Sequence, residues 1–212
     1  MIAQLQTNML TPVPGLEFYA DIHRYRYQGE WVRNSVSKIA QPITPEMRQR
    51  FDETRHVWEP RGYHVHTAGE ALLLGLEPVE GEYKAWVDAL RDCWLLRGAE
   101  TMAVELGVVI PHHDVAGMFD GLIRDADGHV VLLDFKTVQT ERAVETRKAA
   151  TAQLGGYLHG LNLNHPSVVV DKCCTLVVGP GVTKVISEEP DKCFAAWEGC
   201  LMTHKAKNEL PF

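Results

Sequence analysis

Apolar positions along the chain follow two spacings, one typical of strands and one typical of helices. Short apolar or alternating runs predict strands in five segments: TMAVELGVVI, VAGMFDGLI, HVVLLDFKT, SVVVDKCCTLVV and VTKVIS. The second and third of these flank RDADG, a strong turn signal, so we expect them to pair as a hairpin. Nearer the N-terminus, EFYADIHRYRYQGEWV alternates aromatic and polar residues around Gln28-Gly29 and predicts another β-hairpin.

Helical spacing accounts for most of the remaining sequence. Helices are predicted in six segments: SVSKIAQ, TPEMRQRFDETRHVWE, PRGYHVHTAGEALLLG, GEYKAWVDALRDCWLLRG, ERAVETRKAATAQLGGYLHGL and DKCFAAWEGCLMTHKAK. Pro60 is expected at the first position of the third helix, which would run to Gly75. The order helices, three strands, helix, strands, helix predicts an α/β sandwich around a mixed central sheet.

The composition of the 212-residue chain is typical of a globular domain, with 45% hydrophobic and 23% charged residues. No apolar run approaches the roughly 18 residues of a membrane span, and MIAQLQTNML has no basic leader before an apolar block. The five cysteines are odd in number and form no C-x-x-C pair, which indicates reduced thiols. We therefore expect a cytoplasmic protein with no membrane partner.

Charge is distributed unevenly along the chain. The formal net charge is −7, which speaks against broad, nonspecific binding to nucleic acid. Between Ile22 and Arg61, however, eight Lys/Arg residues outnumber five Asp/Glu residues. A more specific interaction with nucleic acid therefore stays open, and bound divalent cations would offset clustered carboxylates elsewhere.

The predicted strand hairpin holds charged residues inside apolar runs, namely Asp120, Asp134 and Lys136. A three-residue turn ending at a left-handed Gly128 would place Asp120 directly opposite Asp134, with Cβ atoms about 4.5–5.5 Å apart. Carboxylates that close repel unless a cation lies between them, and Lys136 would share the face of Asp134. This register predicts a divalent-cation site with oxygen ligands. A two-residue turn would place Asp120 on the other face, and an Asp134–Lys136 ion pair on a solvated face is the alternative.

The aspartate of GMFDG and the DFKT sequence fourteen residues later resemble the hallmark of the PD-(D/E)xK nuclease superfamily. Upstream, RGYHVH resembles a G-x-x-x-H helix motif that would contain His66, and AVELGVV matches a strand glutamate, Glu105. Downstream, AQLGGY resembles a Q-x-x-x-Y motif formed by Gln153 and Tyr157. The order of these motifs is similar to that of the RecB-like branch, which includes Cas4-like, phage and mitochondrial genome maintenance exonucleases.

This resemblance implies one nuclease domain over residues 1–212 with a restriction-endonuclease-like core. The N-terminal hairpin and helices would occupy 1–100, the catalytic core about 60–185 and a C-terminal helix 190–207. The implied activity is a metal-dependent deoxyribonuclease, an exonuclease of phage or bacterial recombination or repair in the bacterial or phage-infected host cytoplasm. The implied partners are DNA and a phage recombination or single-strand-binding protein. Basic and aromatic residues near the front would guide a strand to the site: Arg24, Arg26, Trp31, Lys38 and Arg61.

The resemblance also implies a set of metal ligands. His66, Asp120, Asp134 and the backbone carbonyl of Phe135 would hold one or two Mg²⁺ or Mn²⁺ ions. Lys136 would act on the attacking water or on the transition state. Asp120, Asp134 and Lys136 are therefore the expected catalytic residues.

Three further side chains are expected beside these ligands. Glu105 would support them or bind a second metal ion; otherwise it is a surface charge at a strand end. Gln153 and Tyr157 lie four residues apart on one helix face, where they would contact a phosphate or base and brace Lys136. Ordinary packing of that helix on the sheet is the alternative for this pair, and His66 has the alternative of a histidine at the edge of the core.

The cysteines depart from one part of the family pattern. Many Cas4-like members carry a four-cysteine iron–sulfur cluster, with one cysteine early and a tight group late. Here no cysteine precedes Cys93, and the later ones lack close C-x-x-C spacing. We expect buried thiols and no iron–sulfur cluster. Two other functions stay open, a structure-specific endonuclease and a non-catalytic DNA-binding member of the same fold.

Overall fold

The computed structural model describes residues 9–209 of the chain. The strands are β1 (Leu16–Tyr19), β2 (Arg24–Tyr27), β3 (Glu30–Trp31), β4 (Asn34–Ser35), β5 (Glu100–Ile110), β6 (Val115–Arg124), β7 (Val130–Thr137), β8 (Lys172–Gly179) and β9 (Val182–Glu188). The α-helices are α1 (Val36–Ala40), α2 (Pro45–Leu73), α3 (Lys84–Arg91), α4 (Glu141–Thr146), α5 (Thr151–Asn164) and α6 (Pro190–Glu209). Short 3₁₀ turns occupy Gly81–Tyr83 and Pro111–His113.

A six-stranded mixed sheet lies at the centre of the molecule. β6 pairs antiparallel with β5 along one edge, and along its other edge it pairs with β4 at its start and β7 at its end. β7 pairs in parallel with β8, which pairs antiparallel with β9. The sheet is mixed because only the β4–β6 and β7–β8 pairs are parallel.

Helices cover both faces of this sheet. On one face α1, α5 and α6 pack through a cluster that includes Val36 and Trp197. On the other face α2 and α3 pack through a cluster that includes Val65 and Phe135. Burying each such side chain stabilises the fold by about 1.5–3 kcal/mol. The predicted α/β sandwich around a mixed sheet is therefore confirmed. Among residues 9–209, no helix has both the length and the apolar character needed to cross a lipid bilayer.

A second, three-stranded sheet is formed by β1, β2 and β3 in that order. Its β2–β3 turn is made by Gln28 and Gly29, which both have positive φ angles. The predicted hairpin around these two residues is confirmed, and β1 adds a third strand to it. The sheet packs on the central sheet through a cluster that contains Tyr25 and Val109.

The register of the β6–β7 hairpin agrees with the three-residue turn. Gly121 pairs with Leu133, and the ladder continues to the pair Arg124–Val130. Gly128 closes the turn with a φ of +90°, a conformation that glycine adopts without a side-chain clash. The predicted register is therefore confirmed over these pairs, and the ladder between the two strands stops at Gly121.

Helix α2 differs from its prediction because it runs without a break from Pro45 to Leu73. The prediction of a helix beginning at Pro60 is wrong, since Pro60 lies inside α2. A proline removes its own hydrogen bond and its ring crowds the carbonyl of the preceding turn; that turn is exposed, so water can satisfy the freed carbonyl. Gly75, with a φ of +68°, terminates the helix as expected.

Two other predicted helices are shorter than expected. The segment from Gly81 forms a 3₁₀ turn and then α3, which ends at Arg91, well before the predicted end. The helix predicted from Glu141 is interrupted between α4 and α5. At this interruption, the backbone N–H of Ala150 donates a 2.8 Å hydrogen bond to Thr175 Oγ1 on β8. A tertiary hydrogen bond thus replaces a local one there.

Candidate metal centre

The candidate site lies where the central sheet opens between β6 and β7. Along this edge β4 covers only the first two residues of β6, and the ladder with β7 begins at Gly121. Asp120 falls in the gap between these paired segments. After Leu133, β7 continues in its ladder with β8, so Asp134 lies at the same opening. This opening, bounded by Asp120 and Asp134, is termed the fork.

Helix α2 brings His66 to the fork. His66 Nδ1 lies 3.1 Å from Asp120 Oδ1, although 54 residues separate the two in sequence. The helix approaches β7 closely because Gly69 faces the ring of Phe135, where a Cβ atom would come within 2.2 Å of a ring carbon. The His66 and Phe135 rings meet edge to face with centroids 5.9 Å apart. A glycine one turn along the helix therefore sets the position of the imidazole.

Glu105 joins His66 and Asp120 from β5. One potential ligand atom from each of these three residues lies within 4.8 Å of the other two. A hard divalent cation is commonly held by carboxylate oxygens, and imidazole is a common ligand of transition metals. The structure thus places Glu105, for which the sequence left a surface charge open, within the same group of ligand atoms.

The backbone of Glu105 is unusual for a strand. Its φ is +45°, in the left-handed region, and the neighbouring pairs of the β5–β6 ladder set it opposite Asp120. A non-glycine residue in this conformation costs on the order of 1–3 kcal/mol, and such strain is concentrated at functional sites. The strain therefore favours a functional role for this carboxylate.

Asp134 and Lys136 form an ion pair inside the fork. Lys136 Nζ lies 2.8 Å from Asp134 Oδ2 and donates a 3.1 Å hydrogen bond to Oδ1. Asp134 is only 2% exposed, so the pair does not lie on a solvated strand face. Oδ2 is buried and has no well-aligned hydrogen bond. The Lys136 ammonium is therefore the positive charge that this oxygen contacts.

Phe135 contributes its backbone to the fork. Its N–H donates a hydrogen bond to Asp120 Oδ2, while Asp120 Oδ1 contacts His66. Both carboxylate oxygens of Asp120 are thus held in place. The role of the Phe135 carbonyl as a ligand stays a prediction.

The electrostatics of the fork divide its carboxyl groups. Burial, together with the negative charge of Asp120, raises the pKa of Glu105 to about 7. Burial also raises the pKa of Asp134, despite the nearby Lys136 ammonium. Burial acts upward on the pKa of Asp120 as well, but His66 and the Phe135 N–H outweigh it and lower that pKa. Ionising these carboxyl groups together is therefore unfavourable in the metal-free fork, and a bound cation would relieve that cost.

Gln153 and Tyr157 lie beside the fork on α5. Gln153 Nε2 donates to the Tyr157 hydroxyl at 2.7 Å, and Gln41 Nε2 donates to Gln153 Oε1 at 2.9 Å. Burial, with the charges of Asp134 and Asp120, raises the pKa of Tyr157, which keeps its hydroxyl protonated. The structure therefore brings the pair near the carboxylates, and its contacts with Lys136 or a phosphate stay predictions.

Sequence reasoning missed two residues that shape this region, Gln41 and Gly69. Gln41 follows α1 and joins the hydrogen-bonded pair on α5 from 112 residues away, and no local signal marks it. A signal did exist for Gly69, because a glycine inside a helical pattern commonly has a packing reason. Arg61, expected to guide a strand, is instead buried at 6% exposure and donates to Gln139.

A second group of acidic and histidine residues lies at the opposite end of the β6–β7 hairpin, and is termed the turn group: Asp125, Asp127 and His129. Asp125 Oδ1 accepts hydrogen bonds from the backbone N–H groups of Asp127 and His129, at 3.0 and 2.9 Å. Lys172 Nζ lies 3.3 Å from Asp125 Oδ2. These contacts are typical of a carboxylate that stabilises a turn.

The cysteines are free thiols in the described residues. Burial of four of them agrees with the prediction, while the fifth, Cys200, is partly exposed. Cys173 and Cys174 are adjacent on β8, so their side chains point to opposite faces of the sheet and enter different core clusters.

No protein-family model matches the chain, and no curated protein sequence is significantly similar to it. Among solved structures, the chain is similar to one described as "Crystal structure of SSO0001", with a TM-score of 0.35 and 15% sequence identity. That similarity covers 80% of this chain and 75% of the other.

Proposed function

We propose that this protein is a divalent-metal-dependent deoxyribonuclease that acts as an exonuclease in DNA recombination or repair in a bacterial or phage-infected cytoplasm. One observation carries the proposal: His66, Glu105 and Asp120 come from a helix and two strands, yet their ligand atoms converge within 4.8 Å. The buried Asp134–Lys136 ion pair lies at the same opening of the sheet. A purely structural core has no need of this concentration of charge.

The residues present fit a Mg²⁺ or Mn²⁺ ion. His66, Glu105 and Asp120 would hold it, and Asp134, which lies at the same opening and pairs with Lys136, is the further ligand that the family resemblance implies. Carboxylate oxygens suit both ions, and imidazole is compatible with Mn²⁺. The chemistry that such an ion supplies when bound is Lewis acidity toward a phosphate oxygen and a lowered pKa of water.

The protein's own groups would orient the reaction. Asp134 holds the ammonium of Lys136, whose side chain is 18% exposed, so Nζ would reach a phosphate bound at the fork. Nζ would donate a hydrogen bond to the phosphate oxygen on which charge develops, or would hold the attacking water. The Phe135 N–H and His66 fix the carboxylate of Asp120. Addition of water to phosphorus with departure of the 3′ oxygen would leave 5′-phosphate and 3′-hydroxyl ends.

The test is digestion of end-labelled linear DNA and covalently closed circular DNA with Mg²⁺ or Mn²⁺, and again with EDTA. We expect shortening of the linear DNA from its ends, an intact circle and no cleavage in EDTA. Cleavage of the circle would identify an endonuclease instead. Binding of DNA with no cleavage of either form in Mn²⁺ would identify a non-catalytic protein and overturn the proposal.

A further inference from the structure

The three-stranded sheet presents aromatic and guanidinium groups on the side that faces away from the core. Strand alternation sends one set of side chains inward, where they pack on the central sheet: Leu16, Phe18, Tyr25 and Tyr27. The opposite set is termed the outer face: Glu17, Tyr19, Arg24, Arg26 and Trp31. Three of these outer residues, Glu17, Arg24 and Trp31, are exposed.

The outer face is organised around Trp31. The Arg24 guanidinium lies over the indole, with its Cζ 4.6 Å from the ring centroid. The Tyr19 ring also contacts the indole, with ring centroids 5.1 Å apart and a 59° angle between the planes. Trp31 nevertheless remains 42% exposed. Planar groups held together at the surface of a sheet offer a stacking surface to a further planar ligand.

The charge of this face suits a ligand that combines planar groups with anions. Arg24 and Arg26 contribute two guanidinium groups against one carboxylate, Glu17. The Tyr19 hydroxyl donates a 2.8 Å hydrogen bond to Glu17, which draws that carboxylate toward the tyrosine. Guanidinium groups match phosphate oxygens in geometry and stack on rings. Bases that alternate with phosphates combine these two requirements.

The same sheet adjoins the fork on its inner side. A cavity of about 360 Å³ lies between this sheet and β5, and its lining includes Phe18, Tyr25 and Glu105. Glu105 belongs to the group of candidate metal ligands at the fork. A DNA strand that crosses the outer face would therefore be separated from Glu105 by the three-stranded sheet and this cavity.

Resting on the proposed function, we propose that the outer face is a stacking surface for unpaired bases of single-stranded DNA, with Trp31 and Arg24 as its main contacts. Bases in a duplex are already stacked and paired, so their ring faces are not accessible to Trp31. The surface therefore selects single-stranded over double-stranded DNA. Stacking on one aromatic side chain contributes enough to change affinity by about tenfold when that side chain is removed.

The experiment measures the binding of a dye-labelled single-stranded oligonucleotide and of its duplex by fluorescence anisotropy in EDTA, where no cleavage is expected. The test variant is Arg24→Ala/Trp31→Ala. The matched control is Trp94→Ala/Arg97→Ala, because Trp94 is 66% exposed and the Arg97 side chain is 63% exposed elsewhere on the surface. Both double variants lose one indole and one guanidinium. Circular dichroism melting checks that each of them is folded.

We expect the Arg24/Trp31 variant to bind the single strand about tenfold more weakly than wild type, and the control to bind within about twofold of wild type. Trp31→Phe keeps a ring for stacking, so it should retain most of the affinity. In wild type, a base stacked on Trp31 should quench its fluorescence, and Trp31→Phe should lose this quenching. This variant keeps the proposal testable if the double variant does not fold.

Equal losses in both double variants, no loss in either, or no measurable binding by wild type would each overturn the stacking surface. Equal binding of wild type to duplex and single strand would also overturn it. These outcomes are separate from the cleavage test. Cleavage in Mn²⁺ with unaltered binding by the Arg24/Trp31 variant removes the surface but keeps the nuclease. Binding that depends on Trp31, without any cleavage in Mn²⁺, keeps the stacking surface but removes the nuclease.

Discussion

The β6–β7 hairpin carries acidic and histidine residues at both ends, and the two groups are held in opposite ways. In the turn group, backbone N–H groups and Lys172 satisfy Asp125. At the fork, burial raises the pKa of two carboxyl groups, Glu105 and Asp134, even though the Lys136 ammonium lies 2.8 Å from Asp134 Oδ2.

This difference separates a structural carboxylate from a candidate ligand. A carboxylate that accepts backbone hydrogen bonds is stabilised in its charged form and contributes to folding. A buried carboxylate whose neighbours repel it has an unfavourable charge until a cation binds. Both groups contain histidine and aspartate within ligand distance, so composition alone does not distinguish them. Substitutions at equivalent positions of the fork and of the turn group would distinguish them.

The largest difference is expected between the two lysines that pair with an aspartate. Lys136→Ala should reduce the rate of DNA cleavage by about 10²–10⁴-fold, because Nζ acts on the water or the transition state. Lys172→Ala removes the corresponding partner of Asp125 and should leave the rate within about threefold of wild type. Single-turnover cleavage in saturating Mn²⁺ measures both. Comparable rates for the two variants would remove the catalytic assignment of Lys136.

The two histidines should differ in their effect on metal affinity. His66→Ala should raise the Mn²⁺ concentration needed for binding by about 10–100-fold, the scale of a lost or misplaced ligand. His129→Ala should not change it. The measurement is the rise in melting temperature with added Mn²⁺, since a ligand that binds only the folded state stabilises that state. An equal shift for both variants would mean that the metal does not bind at the fork.

The two groups should also differ in how stability responds to the loss of a carboxylate. Glu105→Gln should leave the metal-free protein as stable as wild type or more stable at pH 8, because it removes a charge that burial and Asp120 disfavour. Cleavage should nevertheless fall at least tenfold. Asp125→Ala should lower the free energy of unfolding by about 1–3 kcal/mol, because two backbone N–H groups lose their acceptor, while cleavage persists.

Urea unfolding in EDTA, with cleavage assayed on the same samples, measures this contrast. A loss of both stability and activity in Glu105→Gln would indicate a structural carboxylate. The candidate metal site would then lose one of its three converging ligands and keep only His66 and Asp120.

The smallest effect concerns acid stability and the turn group. Burial acts to raise the pKa of Asp125, but the His129 N–H and Lys172 outweigh it, so the folded-state pKa lies below its usual range. The unfolded chain then binds a proton at a higher pH than the folded protein does. The stability that the ionised Asp125 contributes to the fold is complete above about pH 4 and is lost as the pH falls further.

Asp125→Asn should therefore flatten the dependence of the unfolding free energy on pH below about 4. Asp127→Asn, which changes a carboxylate without these acceptor roles, is the control. An unchanged slope in Asp125→Asn would show that the turn does not depend on the charge of this group.

Local features of the sequence were enough to predict the hairpin that carries the fork. The RDADG turn has a glycine at the position that requires a positive φ, which favours the three-residue turn that the structure has. The strands are apolar on both faces, so the apolar pattern alone left a two-residue turn open. The positions of Asp120 and Asp134 on neighbouring strands followed directly. The motif spacing also singled out His66, Glu105, Gln153 and Tyr157, which the structure brings to the same region of the sheet.

Helix boundaries depended on contacts that no local pattern contains. α2 continues through Pro60 because the affected turn is exposed, whereas the interval before α5 is extended where Ala150 bonds to Thr175 on a distant strand. A proline in a helix interior costs about 3 kcal/mol, so the residues on either side of Pro60 must supply more than that for α2 to continue. For the ordinary residues before α5, intrinsic preference is a fraction of a kcal/mol, so one tertiary hydrogen bond is enough to decide the outcome.

By itself, the sequence determined the alternation, the turn and the residue types at the fork, because these follow from backbone geometry within a few residues. The tertiary structure alone decided that Glu105 takes a left-handed backbone opposite Asp120, and that Gly69 allows α2 close enough for His66 to reach it. It also decided that Asp134 keeps an oxygen without an aligned hydrogen bond. These properties depend on packing between segments far apart in the chain, where burial and mutual repulsion set the energy of each charge.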